Sequence, residues 1–382
     1  MFYNTVNSTM NRHDISAKKK FSILLKLMNN NKFSSIPALI ENCETITNDQ
    51  DKSNLLNNHF SAKATVPNPN DEVPLLTRKP EMPKFDSINT SPMEISKVIR
   101  DHLKKSCISH CGIPGKFLGI IATPISFSMS RLFNNLFENS FYPNLWKISH
   151  VTAIFKQKGL KTNKANYRPI SLLPTVSKIC ETIIHHRLLS HCIENNVISI
   201  KQAAYIKGDS TVNQLLYIVN KIRQSWSNKK CTQGVFLDVS SAFEKVWHSG
   251  LQGKLNQIGI EGNLLELFKS YLSNRQQIVV VDGIKSNMSH LSAGIPQGSK
   301  LGPILFIIYI NDITEGLESD ILIFADDCSL LASADDPAQS TSMLNRDLEK
   351  INIWATKWKI TFNADKSRDI FFQINYIIPL LL

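Results

Sequence analysis

Phe324-Ala325-Asp326-Asp327 puts two carboxylates at the bend between two apolar runs, Ile321-Leu322-Ile323 and Ser329-Leu330-Leu331. The segment predicts a two-residue β-hairpin, because Asp is tolerated at turn positions that strain other side chains. An ordinary acidic turn would satisfy the same pattern. A third carboxylate narrows the choice: Gly234-Val235-Phe236-Leu237-Asp238 is another short apolar run that ends in Asp, and a helix start is expected directly after it. If these strands are neighbours in one sheet, Asp238 meets Asp326 and Asp327 at a single edge. At roughly 4 Å and an effective dielectric of about 20, each pair of carboxylates repels by about 4 kcal/mol, so a cation must offset the cost. Mg²⁺ fits, since it is usually held by one or two carboxylates together with substrate phosphates. The three acids therefore point to a two-metal clamp with ions about 3.5–4 Å apart, the device of polymerases and nucleases.

Charge is divided along the chain in a way that suits this reading. Of the net +11, residues 1–234 carry +16 and the remainder −5. A basic region attracts phosphate backbones whatever their sequence, and the acidic region is where a metal site belongs. A chain of 382 residues, 42% apolar and 20% charged, has the composition of a soluble globular protein with two or three domains. Its seven cysteines are odd in number and scattered, with no secretory leader before them, so a reducing compartment is expected. The longest apolar runs, Ile304 to Ile310 and Ile377 to Leu382, fall short of the ~20 residues of a membrane span. The expectation is an intracellular protein of nucleus or cytoplasm, not secreted and without a membrane partner.

Residues 1–60 are polar and rich in Asn and Lys, with a weak helical pattern at Phe21 to Leu27, and residues 61–92 carry six prolines and read as a linker. Ser91, Pro92 and Glu94 mark a helix start whose Ile95, Val98, Ile99 and Leu103 share a face. His102, Cys107, His110 and Cys111 match no standard zinc spacing, and a polar loop is expected there. Val151 to Phe155 and Ile170 to Leu173 read as paired strands around the basic turn Lys156-Gln157-Lys158-Gly159; with Lys161, Lys164 and Arg168 nearby, this hairpin can face phosphate. Helices are expected over 176–194 and 212–226, the second with a capping box at Thr211 and Gln214. Ser241 and Glu244 form another such box, opening a long helical stretch to Leu272. Ile278 to Val281 followed by Asp282-Gly283 signals a hairpin. Gly294, Gly298 and Gly302 space a loop that allows close approach to a ligand and leads into an apolar helix with Pro303 in its first turn.

Taken in order, the segments resemble the reverse transcriptase domain of non-LTR (LINE-type) retrotransposons, the jockey-like group in particular. The resemblance rests on Asn166-Tyr167-Arg168-Pro169-Ile170-Ser171-Leu172-Leu173, Phe236 to Phe243, Gly294-Ile295-Pro296-Gln297-Gly298-Ser299-Lys300-Leu301-Gly302-Pro303, the Phe-Ala-Asp-Asp box, and Trp358 with Asn363 to Lys366. It spans about 220 residues, with weaker similarity upstream to about residue 35. It implies an α+β fold of right-hand polymerase type: fingers, and a palm with an antiparallel sheet packed on helices. Residues 1–92 would then be an N-terminal extension and linker, 93–233 the fingers-type region, 234–374 the palm, and 375–382 an apolar tail.

The implied activity is RNA-directed DNA synthesis with two Mg²⁺ (Mn²⁺ as a substitute), an RNA template, a DNA primer and deoxynucleoside triphosphates. Asp238 and Asp326 match the metal-bridging acids, with Asp327 beside them and the Val239 carbonyl as an extra ligand. Phe243 matches the ring that stacks under the incoming sugar and excludes a ribose 2′-hydroxyl; its plain alternative is a core residue. Gln297 and Gly298 match the pair flanking the base and sugar. Arg168, with Lys156 or Lys158, matches the cations that grip the triphosphate. Lys366 matches the position that protonates departing pyrophosphate; its alternative is a surface lysine.

Some positions depart from the family pattern. Its Gln-x-Gly-Phe-Arg element stands as Gln202-Ala203-Ala204-Tyr205-Ile206, without the glycine or the cation, and Gly-Pro-Asp-Gly-Ile-Pro is reduced to Gly112-Ile113-Pro114. Phe155 replaces a proline, Ser241 a lysine and Glu244 an aspartate. Sixteen residues follow Lys366, too few for the family's thumb, and no endonuclease pattern precedes the core. A truncated or decayed copy fits these departures. The competing reading is a nucleic-acid-binding remnant without catalysis. A nuclease would share the two-metal chemistry, but the Gln297 loop and Phe243 favour nucleotide selection.

Overall fold

The computed structural model describes residues 35–76, 82–102, 112–113, 115–206 and 208–372. The helical pattern at Phe21 to Leu27, the Cys107, His110 and Cys111 group, Pro114 and the apolar tail 375–382 lie outside the described residues.

The first described elements are a two-stranded ribbon, β1 (Leu39–Glu41) and β2 (Glu44–Ile46), and helix α1 (Asp49–Lys63), whose N-cap Asn48 accepts from the amides of Gln50 and Asp51. Helices α2 (Pro92–His102) and α3 (Ala122–Glu138) lead to the hairpin β3 (Ile148–Phe155) and β4 (Tyr167–Leu172). Next come α4 (Thr175–Glu194), α5 (Thr211–Ser227), β5 (Cys231–Asp238), α6 (His248–Gln257) and α7 (Gly262–Leu272). Short strands β6 (Arg275–Val281), β7 (Ile284–Lys285) and β8 (Ser289–Leu291) precede α8 (Gly302–Ile310). The hairpin β9 (Asp320–Phe324) and β10 (Asp327–Ala334), α9 (Pro337–Lys357) and β11 (Arg368–Phe372) complete the order.

Two sheets organise these elements. The first is antiparallel, ordered β11-β5-β10-β9, and is covered on both faces. Strand alternation explains how: Val235, Ile321, Ile323, Leu330 and Ala332 join the main core with α8 and α9, while Phe236, Leu322, Leu331 and Phe372 face Ile218 and Ile222 of α5. Helix α8 is apolar on every side because it is buried on every side, from Ile304 to Ile310.

The second sheet runs β4-β3-β6-β7 with β8 against β6, and its β3–β6 pair is parallel. Helix α1 closes one face, where Leu56 and Phe60, with Ile36 and Leu39, pack on Val151, Tyr167, Val279 and Val281. This sheet joins strands from both sides of residue 233, and part of the first 92 residues supplies its cover.

The helix expected directly after Asp238 does not form. Ser241 takes φ 52°, outside the extended region an N-cap needs, and residues 241–245 make turns before α6 begins at His248. The Phe243 and Val246 carbonyls accept the Ile295 and Gly294 amides, each at 2.8 Å, so they are committed to a distant loop instead of a helical ladder. The stretch to Leu272 is further divided between α6 and α7 at Gly259 (φ 88°) and Gly262 (φ 56°). One cap is displaced by a residue: Ser210, not Thr211, accepts the Asn213 amide to start α5.

Candidate active site

The hairpin anticipated at Phe324 to Asp327 is present. Phe324 pairs with Asp327, leaving Ala325 and Asp326 as a two-residue turn, and Ala325 adopts φ 57°, a conformation that normally favours glycine. On the other side, β10 pairs with β5 in a register that sets Asp327 directly opposite Asp238. Opposed residues of an antiparallel pair share a face with Cα atoms about 4.5–5.5 Å apart. Asp238 and Asp327 are thus neighbours by strand register, and Asp326 adjoins them through the turn.

Proximity shows in their ionisation. Burial pushes the Asp326 carboxyl above the ordinary range, the charges of Asp327 and Asp238 push it further, and Arg168 pulls it back. Asp327 is raised by burial and then by Asp238, with Lys366 opposing. Lys366 Nζ lies 3.0 Å from Asp238 Oδ2. Its loop is pinned to the same residue, because the Asn363 amide donates to the Asp238 carbonyl at 2.8 Å and the Lys366 amide to the Asn363 carbonyl at 3.2 Å.

Among the described residues no ready-made cluster of three His, Cys, Asp or Glu side chains is set to hold a metal ion. The donor set nevertheless suits a hard divalent cation: three carboxylates at one end of the sheet, two of them raised in pKa by burial first and then by neighbouring carboxylates. Val239 fits as well. Its antiparallel bridge to Phe362 is made by the Ser240 and Asn363 amides donating to Thr361 and Asp238 carbonyls, which leaves the Val239 carbonyl uncommitted to that bridge.

Cations face the acids from elsewhere in the fold. Arg168 is exposed on β4 and acts on both Asp326 and Lys156. Lys156 donates to the Ala165 carbonyl at 2.8 Å; burial lowers its pKa, as do Lys63, Lys366 and Arg168, while Glu244 opposes. Lys63, the last residue of α1, is likewise lowered by burial and by Lys366 and raised by Glu244. Lys63, Lys156, Arg168 and Lys366 therefore form one electrostatic group with Glu244 and Asp326. Lys158 is exposed in the β3–β4 turn.

The glycine loop is bonded to both the turn after Asp238 and β4. Phe243 stacks on Phe306 with centroids 5.2 Å apart and planes at 16°, while its carbonyl receives the Ile295 amide. The Gln297 carbonyl accepts the Ser171 amide of β4 at 2.8 Å. Gly298 sits at φ 115°, where a Cβ would lie 2.8 Å from the Ser171 oxygen, so both conformation and space require glycine. Beneath the loop, fully buried Glu181 of α4 accepts the Lys300 amide at 2.8 Å and the Leu301 amide at 3.4 Å. Burial raises its pKa against the opposing pull of Arg275 and those amides.

Sequence reasoning missed Lys63 and Glu181. Lys63 closes a helix in a stretch read as an extension; its clue was the apolar set Leu55, Leu56 and Phe60 just before it. Glu181 had a weaker clue, an acid amid the apolar run of α4.

Comparison with known proteins adds an independent line. A sequence profile described as reverse transcriptase (RNA-dependent DNA polymerase) matches residues 156–377. The RNA-directed DNA polymerase from mobile element jockey of Drosophila melanogaster is 34% identical over 252 residues, 64% of this chain and 27% of that protein. Two probable RNA-directed DNA polymerases of the same species, from transposons X-element and BS, are 29% and 26% identical over 75% and 91% of this chain. The chain spans 27%, 32% and 40% of the lengths of these three relatives.

Proposed function

Because the chain belongs to the reverse transcriptase (RNA-dependent DNA polymerase) family, we propose that it is the fingers and palm of a jockey-like retrotransposon polymerase that extends a DNA primer on an RNA template. The second sheet with α1 to α5 serves as fingers, and the antiparallel sheet with α8 and α9 as palm. One observation carries the reading: Asp327 stands opposite Asp238, with Asp326 in the adjoining turn, and Lys366 is paired to Asp238.

Asp238, Asp326 and Asp327, with the Val239 carbonyl, would hold two Mg²⁺ or Mn²⁺ ions. When bound, such ions ease deprotonation of a primer 3′-hydroxyl and offset charge on departing pyrophosphate. The chain's own residues do the positioning that supplies much of the rate in phosphoryl transfer. Arg168 and Lys156, joined by Lys63, grip the triphosphate of the incoming nucleotide. Phe243, fixed by its stack on Phe306, fills the space a ribose 2′-hydroxyl would take. Gln297 and Gly298 bring backbone against base and sugar. Lys366 neutralises Asp238 in the metal-free chain and, once that carboxylate is engaged, holds a proton for the leaving pyrophosphate.

Mg²⁺-dependent extension of oligo(dT) on poly(rA) with dTTP tests this directly. The expected result is synthesis by the chain and none by Asp326→Asn; synthesis retained by that variant would defeat the assignment. A second reading, RNA binding without catalysis, draws on Ala204 and Ile206 standing where the family carries glycine and a cation. It predicts salt-sensitive RNA binding with no extension.

A further inference from the structure

The segment around Gln202 runs beside the acidic hairpin and is bound to its outer edge. Gln202 makes a one-residue parallel bridge with Ile323 of β9. The Ile323 amide donates to the Lys201 carbonyl at 2.9 Å, and the Ala203 amide donates to the Ile323 carbonyl at 3.0 Å. The Gln202 side chain then reaches past the strand to the turn. Its Oε1 accepts the Ala325 amide at 3.1 Å and the Ala204 amide at 2.9 Å.

Three features separate this from an ordinary buried glutamine. Only 4% of Gln202 is exposed, and its Nε2 has no hydrogen-bond partner among the described residues, so the side chain is held through its oxygen. Flipping the amide would set its NH₂ against two N–H donors, so the orientation is fixed by the neighbours. The bonded amide belongs to Ala325, a non-glycine residue held at φ 57°, which needs outside support to persist.

We infer that Gln202 is a positioning residue for the polymerase centre: by clamping the Ala325 amide it holds the left-handed turn that aims Asp326. Gln202 does not touch the reacting groups itself. The inference rests on the proposed polymerase reading for its kinetic consequence, but the clamp is a property of the hairpin alone. Tyr205, three residues on, lies within electrostatic reach of Asp326, so the segment stays close to the acids beyond its bridge to β9.

Gln202→Met keeps the length and removes the acceptor; Gln202→Asn keeps the amide but withdraws it by one methylene, and serves if the first variant does not fold. Extension of oligo(dT) on poly(rA) with dTTP and Mg²⁺ should show kcat reduced about tenfold to a hundredfold, as misplaced catalytic groups typically cost. The KM for dTTP should move less than about threefold, because ground-state binding is spared. In the metal-free protein, amide exchange should rise at Ala325 while β5 and the body of β10 keep their protection. Adding Ala325→Gly, which removes the conformational cost of the turn, should return at least about threefold of the lost kcat. An unchanged kcat, unchanged exchange at Ala325, protection lost across the whole sheet, or no recovery with glycine would each overturn the inference. If the wild-type chain makes no DNA, the polymerase reading falls, and the exchange measurement still decides whether Gln202 clamps the turn.

Discussion

The acids and the cations of the cleft are assembled by different means. Asp238, Asp327 and Asp326 sit at two strand ends and in a turn, whose positions are dictated by strand register. Lys63, Lys156, Arg168 and Lys366 come from α1, the β3–β4 hairpin and the loop before β11, and meet only because those elements pack together. Register is nearly discrete, since a slip of one residue would send each side chain to the other face. Long flexible cations tolerate displacement. Acid substitutions should therefore behave as all or none, and cation substitutions as graded.

The largest effect expected is for Asp326→Asn, a kcat lower by at least about a thousandfold, the scale on which removal of a central electrostatic group is felt. The same change should stabilise the metal-free fold. Asp326 has its folded pKa raised by burial and by Asp327 and Asp238, so its ionisation opposes folding. Below the unfolded value, about 3.9, the acid is protonated in both states and asparagine brings no gain; the gain grows as pH rises to the folded pKa and is full above it. Thermal melts should show Asp326→Asn a few degrees above wild type at neutral pH and converging with it in acid. A variant no more stable at neutral pH would contradict the raised pKa of Asp326.

Next in size is Arg168→Ala, which should raise the KM for the nucleotide about tenfold to a hundredfold, since a charge-assisted contact is lost. Phe243→Ala should cost about tenfold in preference for deoxy over ribonucleotides, read as the ratio of kcat/KM values. Lys63→Ala sharpens the contrast most, because nothing but tertiary packing brings it to the cleft: a rise of about threefold to fivefold in nucleotide KM is expected, with an unchanged melt. Lys158→Ala, at an exposed turn position, should change KM by less than about twofold. Equal losses at Lys63 and Lys158 would remove the distinction between converging and bystander cations.

This division also sets what the sequence could reveal. The hairpin, the Asp238 strand and the β3–β4 pair were legible because alternation and turn chemistry are local, and so was α8, entered through Pro303. The helix expected at Ser241 was not realised because the glycine loop takes the Phe243 and Val246 carbonyls, a long-range bond that no capping pattern encodes. The parallel β3–β6 pair joins Ile148–Val151 to Gln276–Val279, again beyond local signals. For the same reason α1 was read as part of an extension. Its Leu56 and Phe60 make sense only once the sheet they cover is known.

The central claim is that Asp238 and Asp326 serve one cation site. Binding of Mn²⁺ to the metal-free chain, followed by electron paramagnetic resonance, tests it through Asp238→Asn, Asp326→Asn and the double variant. Residues sharing a site are non-additive, so each single substitution should weaken Mn²⁺ binding nearly as much as both together. Independent, additive losses, or binding unaffected by either change, would contradict it.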